Sequence, residues 1–149
     1  MTYLDTSALV KRFFQEKGTT VVNSFFTTGS PIATATIAFI EVHAALSRKK
    51  RDKKLKHRSY VTSCDQFGKE YESFVRVELQ QAILELARNL VKHHSLRTLD
   101  AIHLASALDL QMALQEPVLF AAADSKLIKI AAAAGLNALH VELEETTRD

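Results

Sequence analysis

The chain has 149 residues, 47% of them hydrophobic, with four glycines and two prolines, which fits one domain with a sizeable core and excludes a loop-rich or disordered chain. Its one cysteine, Cys64, excludes an internal disulfide and cannot by itself build a structural zinc site, so a reducing cytoplasm is the expected compartment. The net charge of +2 is unevenly spread, because residues 48–58 hold eight Lys/Arg against one Asp and leave the remainder of the chain at −5.

In chain order, Tyr3-Leu4 predicts a short strand, and Asp5-Thr6-Ser7 caps a helix through Ala8-Leu9-Val10 and Phe13-Phe14. Val21 to Phe26 forms an amphipathic segment ended by Thr27-Thr28-Gly29-Ser30-Pro31, and Pro31 to Thr34 reads as an apolar strand. From Thr36 the spacing of Ile37, Ile40, Ala44 and Ala45 predicts a helix with Glu41 on its apolar stripe, running out into the basic stretch. Tyr60, Val61, Cys64, Phe67 and Tyr71 share one helical face, and Phe74 to Leu79 is a strand candidate.

Gln80 to His94 predicts a further helix, and another runs from Thr98, its expected N-cap, past Asp100 to about Leu114. Val118 to Ala123 is a continuous apolar run of the kind found in buried parallel strands, and Asp124 closes it. Ser125 to Ala134 reads as a helix ended by Gly135, and Ala138 to Val141 as a last strand before a polar tail. The alternation predicts an α/β fold with a mainly parallel sheet covered on both sides, over a single domain at 1–149. The opening Met1-Thr2-Tyr3-Leu4-Asp5 lacks the features of a signal peptide, and no apolar run is long enough to span a membrane, so no membrane contact is expected.

Singly, each acid has an ordinary explanation: Asp5 and Asp124 as helix caps after strands, Asp100 as a first-turn partner of the helix dipole. Glu41, on an apolar face, needs a cation or hydrogen-bond donors. Together they say more, because ligands of parallel α/β sheets gather outside the carboxyl ends of the strands, where Asp5 and Asp124 fall. If Asp100 and Glu41 face the same edge, the shared like charge calls for a divalent cation, and an all-oxygen set suits Mg²⁺ or Mn²⁺. The implied reaction is hydrolysis of a phosphodiester by metal-activated water, with Lys49, Lys50 and Arg51 of the basic stretch holding the phosphate backbone.

The segments Tyr3-Leu4-Asp5-Thr6-Ser7-Ala8-Leu9-Val10-Lys11, Glu41 within its helix, Leu99-Asp100-Ala101-Ile102-His103-Leu104-Ala105 and Ala123-Asp124-Ser125-Lys126-Leu127 resemble, in that order, the PIN-domain ribonucleases, specifically the VapC-type toxins. The resemblance implies a three-layer α/β/α sandwich, a Mg²⁺ or Mn²⁺ site, endonucleolytic cleavage of RNA, a homodimer and a cognate antitoxin. Asp5, Glu41, Asp100 and Asp124 match the family's acidic quartet as metal ligands and catalytic residues, and Ser7 matches a small hydroxyl residue near the metal shell or phosphate. One departure is Ala122, where the family carries Thr or Ser two residues before the last acid, so Asp124 is the weakest ligand.

The competing readings are a catalytically silent RNA- or antitoxin-binding module of the same fold and an aspartyl-phosphate phosphatase, which would need Asp-x-Asp where Ser7 stands. His103 reads as an interior histidine bonded to backbone and Cys64 as core, and neither joins the expected site.

Overall fold

In the computed structural model, which describes residues 1–148, five short apolar segments pair side by side as strands: β1 (Thr2–Leu4), β2 (Ile32–Ala35), β3 (Val75–Val77), β4 (Leu119–Ala122) and β5 (Asn137–His140). Every pairing is parallel and the order is β3-β2-β1-β4-β5. Eight helices connect and cover them: α1 (Thr6–Leu9), α2 (Thr19–Thr27), α3 (Ala38–Arg51), α4 (His57–Glu72), α5 (Gln81–His93), α6 (Thr98–Leu114), α7 (Ser125–Ala133) and α8 (Val141–Arg148).

The two-residue alternation of the strands gives the sheet two apolar faces and the molecule two cores. Tyr3, Ala33, Ala35, Phe120 and Ala122 face one core with α5, α6 and α7, whereas Leu4, Ile32 and Ala121 face the other with residues from α1, α2, α3 and α4. Helix α6 has almost no polar side, as its run of buried residues from Ala101 to Ala107 requires for a helix between the sheet and α5. The chain moves outward from β1 to β2 and β3, then returns to lay β4 on the other side of β1. The topological switch therefore lies between the carboxyl ends of β1 and β4, the place where this architecture opens a crevice.

Four local expectations are corrected. Helix α1 stops at Leu9 and a 3-10 turn follows at Val10–Arg12, where Phe13 N bonds the Val10 carbonyl at 3.0 Å and the Thr19 hydroxyl takes the Lys11 carbonyl. The buried stripe of α3 is Ala38, Val42 and Leu46, while Ile40 is 65% exposed, since α3 packs against both α1 and α4. Arg97, rather than Thr98, is the N-cap of α6, as its carbonyl accepts the first helical bond from Ala101 N at 3.0 Å. The polar end of the chain is helical as α8: Glu142 pairs with the buried Lys11 at 2.7 Å, and Glu145 accepts from Gly18 N and Thr20 N at the start of α2. Those amides begin a helix and have no partner within it. Among the described residues no helix is long and apolar enough to cross a membrane.

Candidate active site

At the switch point a cleft of about 380 Å³ is lined by Asp5, Thr6, Ser7, Glu41, Arg48, Arg97, Asp100 and His103, with Ala44, Ala45 and Leu99 as its apolar wall. Three of the four expected acids thus meet on one cavity, each delivered by a different element: Asp5 from the end of β1, Glu41 from the first turn of α3, Asp100 from the first turn of α6. Asp124 stands apart. It lines an adjoining hollow of about 160 Å³ that shares only Arg97 and Asp100 with the main cleft.

Asp5 is 2% exposed and caps α1: its Oδ1 accepts from Ala8 N at 2.9 Å and from the Ser7 hydroxyl at 2.7 Å. Burial pushes its carboxyl above the usual range, and the charge of Asp100 adds to this, against the pull of His103, Ser7 and Ala8. Ser7 Oγ in turn accepts from Ala123 N at 2.9 Å, which ties the end of β1 to the end of β4. This bracing uses the hydrogen and one lone pair of the Ser7 hydroxyl.

Glu41 is held differently. Burial raises its carboxyl, yet the net displacement is downward, because His103 Nε2 lies 2.8 Å from Oε1 and the Thr6 hydroxyl donates to the same oxygen at 2.8 Å. Glu41 therefore stays ionised in its half-buried setting. The His103 ring bonds side chains from β1, α1 and α3, not the backbone, which corrects the expectation for this residue.

Arg97 bridges the remaining acids. Its Nε donates to Asp100 Oδ2 at 2.9 Å and its Nη2 lies 3.7 Å from Asp124 Oδ2, while Asp124 Oδ1 accepts from Leu127 N at 2.9 Å as the cap of α7. Ala122 is fully buried and offers no hydroxyl beneath Asp124.

Among the described residues no three Asp, Glu, His or Cys side chains converge tightly enough to hold a metal ion as they stand. The donor chemistry nonetheless fits a hard divalent cation, since the groups are carboxylate oxygens, one of them enclosed where its charge is poorly solvated. The cation now beside Asp100 is a guanidinium whose side chain is 80% exposed and has room to rotate outward.

The basic residues sort themselves by position on α3. Lys49 is occupied by Glu16 at 3.5 Å and lies 3.8 Å over the Phe14 ring, Lys50 lies 4.8 Å over Tyr60, and Arg51 is exposed at the helix end. None of these three lines the cleft. Arg48 does, and sequence reasoning left it out. The signal was its i+7 spacing from Glu41, two helical turns along the same face, with Ala44 and Ala45 between.

A five-stranded parallel sheet with carboxylates gathered at its switch point defines an α/β protein of the three-layer, acidic-cleft class. Residues 2–133 match the PIN domain, and the chain belongs to that family. It is 31% identical over 146 residues, 97% of this chain and 98% of the other, to Ribonuclease VapC45 of Mycobacterium tuberculosis. Among solved structures it superposes on M. tuberculosis VapC20, described as a sarcin-ricin loop cleaving toxin, with TM-score 0.64 and 16% identity, covering 91% of this chain and 96% of that one. A toxin-antitoxin complex from Klebsiella pneumoniae gives TM-score 0.63 at 15% identity, covering 95% of this chain and 98% of that one.

Proposed function

We infer that this PIN-domain protein, a VapC-type ribonuclease toxin of a toxin–antitoxin system, hydrolyses RNA phosphodiester bonds with Mg²⁺ or Mn²⁺ held by Asp5, Glu41 and Asp100. The observation that carries this reading is the meeting of those three carboxylates, from three separate elements, on one cleft at the switch point. A bound divalent cation supplies Lewis-acid charge at the phosphate and lowers the pKa of a coordinated water. The chain's own residues do the rest. Ser7 and Ala8 fix Asp5, Thr6 and His103 fix Glu41, and Arg97 holds Asp100. Asp124, outside the main cleft, acts through water or by drawing Arg97 aside. The same reading gives a cytoplasmic homodimer restrained by a protein antitoxin.

The test is cleavage of RNA by purified protein with Mn²⁺ or Mg²⁺, expected to stop in excess EDTA and to return when Mn²⁺ is restored. Cleavage that persists in EDTA overturns the metal-dependent reading. RNA or antitoxin binding without any cleavage would favour the silent module, for which the Arg97 ion pairs across Asp100 and Asp124 are the favouring observation.

Arg48, exposed at the cleft rim, is the residue best placed to hold a phosphate next to the cut. Arg48→Gln is expected to weaken RNA binding across sequences and to lower the slope of log affinity against log salt by about 1, measured by fluorescence anisotropy. An unchanged slope in Arg48→Gln, with a lower one after Lys53→Ser and Lys54→Ser, would move the RNA track onto the turn after α3.

A further inference from the structure

His103 is 2% exposed, and an imidazole at that depth needs both ring nitrogens satisfied. Its Nδ1 lies 2.9 Å from the Tyr3 hydroxyl, its Nε2 lies 2.8 Å from Glu41 Oε1, and Thr6 Oγ1 lies 3.1 Å from Nε2 and 2.8 Å from the same Glu41 oxygen. An ionised carboxylate only accepts, so the hydrogen between His103 and Glu41 sits on Nε2. The hydrogen of Thr6 goes to Glu41, and its lone pair faces Nε2–H. The contacts run without a break from Tyr3 inside the sheet through His103 to Glu41.

The consequence lies in how Glu41 is held. Both donors fall on Oε1, and among the described residues no side chain or amide donates to Oε2. One oxygen is clamped from behind, and the other is left for the cleft that Glu41 lines. The clamp is also rigid. Tyr3 is fully buried, stacks on Phe120 at 5.6 Å and meets the His103 ring edge-on at 5.9 Å. His103 is fixed by α6, three residues beyond Asp100, so one helix would position two ligands at once.

We propose that Tyr3, His103 and Thr6 form a positioning relay that locks the Glu41 carboxylate with Oε2 presented to the divalent cation, an inference that rests on the metal-ribonuclease reading above. His103 and Thr6 are positioning residues, acting through Glu41 without touching RNA. Groups that orient a metal ligand in this way typically change metal affinity by about 10–100-fold when removed.

The test is Mn²⁺ binding by calorimetry on purified full-length wild type, His103→Leu, Thr6→Val, Glu41→Gln and the His103→Leu/Glu41→Gln double variant. Melting curves without metal serve as the folding control. Mn²⁺ affinity should fall about 10–100-fold in His103→Leu and by a smaller factor in Thr6→Val. In the Glu41→Gln background, His103→Leu should cost almost nothing further, because the relay has lost its object. Wild-type protein that binds no Mn²⁺ would overturn the underlying reading. Wild-type protein that binds, beside His103→Leu and Thr6→Val that bind equally well, would overturn the relay alone, as would losses that add in full to that of Glu41→Gln. If His103→Leu does not fold, Thr6→Val decides: its half-buried hydroxyl lies at the cleft, so weakened Mn²⁺ binding in a folded protein supports the relay and unchanged binding removes it.

Discussion

Replacing Asp5 with asparagine should abolish RNA cleavage while raising the melting temperature of the metal-free protein at neutral pH. Loss of a group that merely orients a ligand already costs about 10–100-fold, so loss of a direct ligand charge should cost at least about 100-fold. The stability half follows from where the carboxylate sits. Asparagine keeps Oδ1, so the bonds from Ala8 N and the Ser7 hydroxyl survive and α1 stays capped. What disappears is a negative charge enclosed at 2% exposure, whose carboxyl is raised by burial and by Asp100. An acid with a raised folded pKa binds more protons folded than unfolded between its two pKa values. The metal-free protein therefore loses stability as pH climbs through the raised pKa of the Asp5 carboxyl. Asp5→Asn bears none of that loss. Thermal melts with increasing Mn²⁺ should show wild type starting lower and climbing, with Asp5→Asn starting higher and nearly flat. A metal-free Asp5→Asn that melts below wild type, or one that still cuts RNA, would contradict this account of Asp5.

The strands and most helices were legible because their signals are local. β4 is a six-residue apolar run in the sequence, α5 repeats at 3.6 residues, and Gly135 stops α7 with φ +99°. Asp5 and Asp100 were readable for the same reason, each standing at an element boundary. What escaped depends on distant partners. The role of His103 is set by Tyr3, 100 residues earlier, and by Glu41, 62 residues earlier, and no window on α6 contains either. Glu41 was placed on the wrong stripe of α3 yet still near the site, because Ile40 looked like core and is not. The helical stripe is chosen by the two helices that α3 packs against rather than by α3 alone. Arg97 went unread although its first partner, Asp100, lies only three residues on; its link to Asp124 appears only when that residue arrives from the far side of β1. The polar end of the chain became α8 because its glutamates meet Lys11 and the start of α2, more than a hundred residues away.

Phe67→Ala should be the most damaging single change in the α3–α4 hairpin, costing about 3–5 kcal/mol. The sequence offers Tyr60, Val61, Cys64, Phe67 and Tyr71 as equals on one face, but only Phe67 is fully buried. Its ring lies 5.3 Å from Phe13, 5.4 Å from His43, 5.5 Å from Tyr71 and 6.0 Å from Phe39, so it joins the corner after α1 to both helices of the hairpin. Truncation empties the centre of that cluster, and the backbone of two crossing helices has little means to close over the void. The consequence reaches the active site, because Phe39 and His43, which the ring packs against, flank Glu41 at the start of α3, and the same helix carries Arg48 in its last turn. At this chain length about 3–5 kcal/mol corresponds to a drop in melting temperature of about 10 °C or more, readable by circular dichroism. Val61, on the same sequence-assigned face but 43% exposed, should cost under about 1 kcal/mol when changed to alanine. If Val61→Ala costs as much as Phe67→Ala, the outer side of α4 is covered in solution by a second molecule. The apolar residues that α4 leaves exposed would then belong to an interface.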